Sequence, residues 1–257
     1  MKILMLGDVT SPAAARYLAR ALPAARRRTG ADLVTVNAEN AGFILGASPE
    51  LASLLLDAGA DVLTGGNHTL QNYDMLAVID EMPRVLRPAN YPAAAPGQGA
   101  CLLTVGGAEV LVISLLGRVG MEPPLSSPFE AAEAILARYR GRYTVALVDF
   151  HAEATGEKLA MGHFLDGRVS AVVGTHTHVP TADLTVLPGG TGYVSDLGMC
   201  GAEGSILGID APMIVERYLT AVHHRLRPAE GPMYADGVLF TVDEKTGRCA
   251  HAERVKI

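Results

Sequence analysis

A carboxylate at Asp8, the pairs Glu39-Asn40 and Asn67-His68, an isolated His151 and the alternating triplet His176-Thr177-His178 are the residues whose types could do chemistry together. Carboxylate, carboxamide and imidazole combine hard oxygen with borderline nitrogen donors, a mixture suited to manganese, iron or zinc. Cysteine is missing from the set, which argues against a structural zinc site. Two cations about 3.5–4 Å apart can clamp the attacking and leaving oxygens of an in-line phosphoryl displacement. A carboxylate shared between them would hold that spacing, and Glu39 is the candidate bridge. Alternation in His176-Thr177-His178 would send its two imidazoles to different metals, with Thr177 as a spacer, if the segment is extended or sharply turned. Singly, each residue has an ordinary explanation: Asp8 as a helix cap, Asn67 as a turn residue, His151 as a hydrogen-bonded core histidine.

Their positions relative to the expected elements make them a set. Short apolar runs predict strands at Lys2–Leu6, Leu33–Asn37, Val62–Thr64, Val110–Leu115, Thr144–Phe150 and Val169–Val173. Segments of helical periodicity lie between them, at Pro12–Arg28, Pro49–Ala58, Asn72–Glu81, Pro128–Tyr139 and Glu153–Leu165. This alternation predicts a layered α/β architecture with right-handed crossovers. Asp8, Glu39-Asn40, Asn67-His68, His151 and His176/His178 each follow a different strand, and ligand sites of open α/β sheets lie outside the carboxyl ends of the strands. Later segments change character. Thr185–Leu187, Tyr193–Ser195, Gly237–Val242 and Arg248–Val255 read as strands with few helices between, which predicts antiparallel sheet towards the C-terminus. Arg87–Gly99, rich in Pro, Ala and Gly, is expected to be a loop.

Length and composition set outer bounds. At 257 residues and 49% hydrophobic content the chain is expected to form a single domain, residues 1–257, with a large core. The net charge of −6 argues against a broad grip on duplex DNA. Apolar runs such as Val110–Leu116 are far shorter than the ~20 residues of a membrane span. Three widely spaced cysteines without a C-x-x-C pair, and an apolar strand that begins almost at Met1, predict a cytoplasmic protein with reduced thiols. Homo-oligomerisation is the default expectation for assembly. The cluster Arg26-Arg27-Arg28 is read as cations meeting a helix C-terminus, and Pro23 as a kink or break in that helix.

At Gly7-Asp8-Val9, Asn37-Ala38-Glu39-Asn40, Gly66-Asn67-His68-Thr69, Arg87-Pro88-Ala89-Asn90-Tyr91-Pro92, Asp149-Phe150-His151-Ala152-Glu153-Ala154-Thr155 and Gly174-Thr175-His176-Thr177-His178 the chain resembles the calcineurin-like metallophosphoesterases, and closely their bacterial YmdB-type subfamily. Each motif is short; six in the same order are specific. The resemblance implies a four-layer α/β/β/α sandwich of two mixed sheets. It implies one metal on Asp8, Glu39, Asn40 and His178, a second on Glu39, Asn67, His151 and His176, a metal-bridging hydroxide as nucleophile and His68 as general acid. Iron or manganese is the expected metal, with zinc as the alternative. Where the wider superfamily has Asp-x-His, this chain has Asp8-Val9-Thr10, so that motif supplies no histidine and Asn40 is expected to stand in.

The implied substrate is a small phosphodiester, above all a 2',3'-cyclic nucleotide. Alternative readings are a regulatory protein that binds a nucleotide or an RNA-processing partner on the same fold, and a phosphomonoesterase or protein phosphatase. Arg87 is a weak candidate phosphate contact, and Phe43 and Tyr91 candidate base-stacking residues. His163, His251 and the pair His223-His224, expected at the end of a helix Pro212–His224, are assigned no part in the site. Asp183, Asp196 and Asp210 are read as turn or supporting residues, and Gly198, Gly201 and Gly204, near Met199 and Cys200, equally as a loop facing the site or as positions of close packing.

Overall fold

In the computed structural model, which describes residues 1–257, apolar side chains of alternate strand residues diverge to two different cores. The elements in chain order are β1 (Lys2–Leu6), β2 (Asp8–Val9), α1 (Pro12–Thr29), β3 (Leu33–Asn37), α2 (Pro49–Asp57), β4 (Val62–Thr64), α3 (Tyr73–Val78), β5 (Ala100–Val105), β6 (Ala108–Leu116) and α4 (Pro128–Arg138). They continue with β7 (Val145–His151), α5 (Thr155–Leu165), β8 (Ala171–Thr175), β9 (Thr185–Val186), β10 (Gly192–Val194), β11 (Met199–Ala202), α6 (Ala211–Thr220), β12 (Met233–Val242) and β13 (Cys249–Lys256).

One sheet runs β2-β11-β12-β1-β3-β4 with β13 against β12; the other runs β5-β6-β7-β8-β10-β9. Parallel pairs β1–β3, β3–β4, β6–β7 and β7–β8 sit beside antiparallel pairs β1–β12, β12–β13 and β5–β6, so both sheets are mixed. Ile3, Met5 and Leu33 of the first sheet pack against Val112, Leu147 and Val173 of the second. Their neighbours Leu4, Leu6 and Val34 point the other way, onto Leu18 and Leu22 of α1 and Leu55 of α2. Ile113, Val148 and Phe150 likewise face Leu136 of α4 and Met161 of α5. The side-chain period of two thus divides each strand between the inter-sheet core and an outer helical layer. The result is the expected α/β/β/α sandwich.

Several local expectations are corrected. Pro23 does not break α1, which is one helix from Ser11, whose hydroxyl caps Ala14 N, to Gly30 in the left-handed region. The helix expected over Asn72–Glu81 is only one and a half turns of α3, followed by a 3₁₀ turn at Ile79–Glu81. The strand expected at Val169–Val173 lies two residues later as β8, because Ser170 turns its hydroxyl to Ala146 N at the strand entry. The expected Pro212–His224 helix stops at Thr220, where Ala221 adopts φ 56° and closes on Arg217 O, leaving His223 and His224 exposed beyond it. Met199–Ala202 is not a loop: it is the buried strand β11, inserted between β2 and β12. Strand β5, absent from the sequence expectation, pairs antiparallel with β6 after the Pro-rich loop. No helix is long and apolar enough to cross a membrane.

Candidate metal centre

Parallel strands β1, β3, β4, β7 and β8 end at one edge of the sandwich, and their last or following residues carry the polar set. All seven proposed ligands meet there. Asp8 and Glu39 are buried, as are Asn40, His151 and His178, while Asn67 and His176 are half-buried. Their donor atoms form two groups. His178 Nε2 lies 3.8 Å from Asp8 Oδ1 and 3.5 Å from Asn40 Nδ2, and Asp8, Glu39 and His178 each offer an atom within 4.8 Å of the others. In the second group His151 Nε2 lies 3.0 Å from Asn67 Oδ1, 3.1 Å from His176 Nδ1 and 3.8 Å from Glu39 Oε2. Glu39 belongs to both.

The close packing has local causes. Gly66 lies against the His151 ring so tightly that a Cβ there would come within 2.4 Å of it. His176 and His178 have φ of 97° and 63°, so the triplet is a sharp turn that brings both imidazoles to one side. Left-handed non-glycine residues cost on the order of 1–3 kcal/mol each and need outside support. Asp196, fully buried, accepts hydrogen bonds from Thr177 N at 3.1 Å and Thr177 Oγ1 at 2.7 Å, and pairs with buried Lys158 Nζ at 3.0 Å. Thr177 is therefore an anchor of the turn as well as a spacer.

Electrostatics fit a cation. Asp8 Oδ1, Glu39 Oε1 and Asn40 Oδ1 are buried with no hydrogen-bond partner, a state that costs about 1–3 kcal/mol or more for each unless something positive faces it. Burial, then Asp196 and Glu39, raise the Asp8 carboxyl well above the usual range. Burial pushes Glu39 up to about 8. Burial, then the neighbouring imidazoles, hold His151 far below its ordinary value and His176 near 4; burial likewise lowers His178. The imidazoles are already in the neutral form that metal binding requires, whereas the raised carboxyls would release their protons to a bound cation. His178 Nδ1 is 3.1 Å from Leu207 O, and a carbonyl only accepts, so this nitrogen carries the proton and Nε2 turns a lone pair inward. His176 Nε2 similarly meets Glu153 Oε2 at 3.2 Å, leaving Nδ1 for the centre. These observations fit one or two divalent cations.

His68 stands apart from the donor groups. Its backbone N–H donates to Glu39 Oε2 at 3.0 Å, its Nδ1 meets Gln71 Oε1 at 2.9 Å and its Nε2 lies 3.2 Å from Asn67 Nδ2. Thr10, where a histidine was noted as missing, buries its hydroxyl on Cys200 O. Arg87 is spent on the carbonyls of Pro88, Ala95 and Pro96, so it shapes its loop and is not free to meet a phosphate. Asp210 caps α6, and Asp183 holds Ser195 and Thr181. His163 and His251 are exposed and outside the site.

Sequence reasoning missed Lys158, Asn37, Asp149 and Thr175. Signals were present: Lys158 shares the inward helical face of Met161, Gly162 and Leu165 at spacings of three, four and seven, and Asn37 and Asp149 interrupt otherwise apolar buried strands.

A four-layer sandwich with this polar strand edge is the calcineurin-like metallophosphoesterase fold. More narrowly, residues 4–255 match the family model described as YmdB-like protein, and the chain belongs to that family. The 2',3'-cyclic-nucleotide 2'-phosphodiesterase of Bacillus subtilis is 40% identical over 100% of this chain and 97% of its own. A crystal structure of a hypothetical protein from Thermus thermophilus superposes with a TM-score of 0.91 at 38% identity, covering 100% of this chain and 99% of that one. A solved novel phosphatase of Mycoplasma pneumoniae gives a TM-score of 0.91 at 33% identity over 100% and 93% of the two chains.

Proposed function

We propose that this protein is a metal-dependent phosphodiesterase that hydrolyses small phosphodiesters, with 2',3'-cyclic nucleotides as its substrate class. The observation that carries the metal requirement is the convergence of three partnerless buried oxygens, on Asp8, Glu39 and Asn40, with inward-facing imidazoles. The substrate class follows the full-length similarity to the Bacillus subtilis enzyme. In this reading Asp8, Glu39, Asn40 and His178 hold one cation, and Glu39, Asn67, His151 and His176 the other. Iron or manganese suits these ligands, with zinc third. When bound, the cations supply Lewis-acid neutralisation of phosphoryl charge and a nucleophile near neutral pH. A cyclic phosphodiester bears a single negative charge, so few basic side chains are needed, consistent with Arg87 being otherwise engaged.

His68 is the general acid. Gln71 Oε1 accepts from Nδ1–H, so in the doubly protonated ring it is the Nε2 proton that would pass to the leaving oxygen, with the Nδ1 proton staying on the ring. Its backbone N–H steadies Glu39, so one residue serves both orientation and proton transfer.

The test is turnover of 2',3'-cyclic AMP and bis-p-nitrophenyl phosphate by protein loaded with Mn²⁺ or Fe²⁺. His68→Ala should lower kcat by about 10²–10⁴-fold; a loss below about tenfold would remove His68 from the acid role. Tight cyclic-nucleotide binding with no turnover under any metal would favour a regulatory role, and preference for p-nitrophenyl phosphate a monoesterase.

A further inference from the structure

Behind His151 lies a chain of buried polar groups that spans both sheets and includes none of the proposed ligands. Asn37 ends β3 of the first sheet; Asp149 and Thr175 belong to β7 and β8 of the second. The proton positions along this chain follow from groups that can act in only one way. The Glu39 backbone N–H, always a donor, gives its proton to Asn37 Oδ1 at 3.1 Å, so Asn37 Nδ2 is the end that donates to Asp149 Oδ2 at 2.9 Å. Thr64 adds its hydroxyl to the same oxygen. Asp149 is thus a carboxylate surrounded by donors, and its Oδ1 takes the hydroxyl proton of Thr175 at 2.7 Å. Having spent its one proton, Thr175 Oγ1 can only accept from His151 Nδ1, 2.9 Å away.

We propose that Asp149 and Thr175 are positioning residues that hold His151 as its Nδ1–H tautomer, so that the Nε2 lone pair faces Asn67 and His176 as a metal ligand. The opposite tautomer would place two lone pairs face to face at 2.9 Å, between His151 and Thr175, both fully buried. A burial of that kind has no water to relieve it. The Nδ1–H tautomer sets Nε2 against Asn67 Oδ1 at 3.0 Å, but Asn67 is half-buried and its amide can turn to present Nδ2, whereas the Thr175 proton is fixed on the buried Asp149 carboxylate. The inference rests on the metal reading for its consequence. Histidine ligands are commonly oriented through their outer nitrogen, and loss of the outer partner typically weakens metal binding 10–100-fold. Here the three histidines use three different devices: a carbonyl for His178, a carboxylate for His176 and a hydroxyl backed by a buried carboxylate for His151. The His151 device has a defined polarity that one isosteric change reverses.

Asp149→Asn keeps the shape of the side chain. Its carbonyl oxygen can still accept from Asn37 and Thr64, which leaves its NH₂ to donate to Thr175. Thr175 is then released to donate to His151 Nδ1, and the proton on His151 moves to Nε2, where Asn67 Oδ1 accepts it at 3.0 Å. Thr175→Val removes the acceptor outright, and Thr175→Ser restores it.

The experiment is ¹⁵N-edited NMR of the histidine rings in the full-length metal-free protein, joined to calorimetric titration with Mn²⁺. The expected result is Nδ1–H on His151 in the wild type and Nε2–H in Asp149→Asn and Thr175→Val. Mn²⁺ affinity should fall about 10–100-fold in both variants and return in Thr175→Ser to within about threefold of the wild type. A wild type with Nε2–H, or variants that keep Nδ1–H and Mn²⁺ affinity within about twofold, would overturn the proposal. Should Asp149→Asn fail to fold, the Thr175 pair carries the same contrast. A wild type that shows the Nδ1–H tautomer but binds no metal would uphold the positioning role while removing the metal reading it serves.

Discussion

Lys158 Nζ lies 3.0 Å from Asp196 Oδ2, a fully buried ion pair directly beneath the His176–His178 turn. The same Asp196 oxygen holds both the amide and the hydroxyl of Thr177, and Oδ1 takes the Gly198 N–H at 2.8 Å. An element outside the site, α5, therefore secures a turn whose two histidines sit at positive φ.

Lys158→Met should leave Asp196 as a buried charge without its counter-ion. Breaking such a pair from one side costs about 3–5 kcal/mol, readable as a drop in the denaturant midpoint at constant slope. The double variant with Asp196→Asn should recover part of that loss. If Lys158→Met unfolds like the wild type, the pair does not support the turn.

Metal should act as a stabilising ligand of the folded state. At a hundredfold excess over its dissociation constant, Mn²⁺ should raise stability by about 2.7 kcal/mol, seen as a higher Tm. Glu39→Gln should abolish most of that shift, because Glu39 alone belongs to both donor groups. An equal Tm rise in the variant would contradict the shared role.

In the metal-free protein, pH should matter in a defined direction. Glu39 rises from an ordinary 4.5 to about 8, and Asp8 moves the same way, so the folded state holds protons that the unfolded chain has released. Stability must fall as pH rises towards 8. His176 works at the acid side: its fall from 6.5 to about 4 gives stability that is complete above 6.5 and lost as pH drops towards 4. Between 4.5 and 6.5 the two oppose each other, and above 6.5 the carboxylates act alone. Chelated protein should therefore show a decreasing Tm from pH 6.5 to 8, and Mn²⁺ should reverse the slope, since it competes with those protons. A Tm that rises with pH in chelator would contradict the carboxylate assignment.

Gly66→Ala tests the packing that seats His151. The added methyl would stand 2.4 Å from the imidazole, so ring or strand must move. Overpacking of this kind costs about 1–3 kcal/mol, and the displaced ring should also weaken Mn²⁺ binding in calorimetry. Unchanged stability and affinity would mean that the loop yields freely.

Much of this was legible in the chain itself. Runs such as Leu33–Asn37 and Val145–His151 are continuously buried and mostly apolar because both faces of their strands are covered, and polar residues at or just past the ends of such runs fall at one sheet edge. That rule places Asp8, Glu39, Asn67, His151 and His176 together before any coordinates are known. Boundaries were less legible where local bonding overrides propensity, as with the Ser170 hydroxyl before β8 and the left-handed backbone cap at Ala221 after α6. Strand β11 was hidden because Met199–Ala202 is short and glycine-bearing, and becomes a strand only between β2 and β12. The burial of polar residues such as Asn37 and Asp149 left a trace in the sequence, but their pairings left none. Asn37 meets Asp149 across 112 residues, and Lys158 meets Asp196 on the turn side of α5. Local sequence thus determined which residues could be ligands. Only the packing of one sheet on the other decided which atom of each histidine faces inward, because tautomer and ring orientation depend on partners that are distant in the chain and adjacent only in the fold.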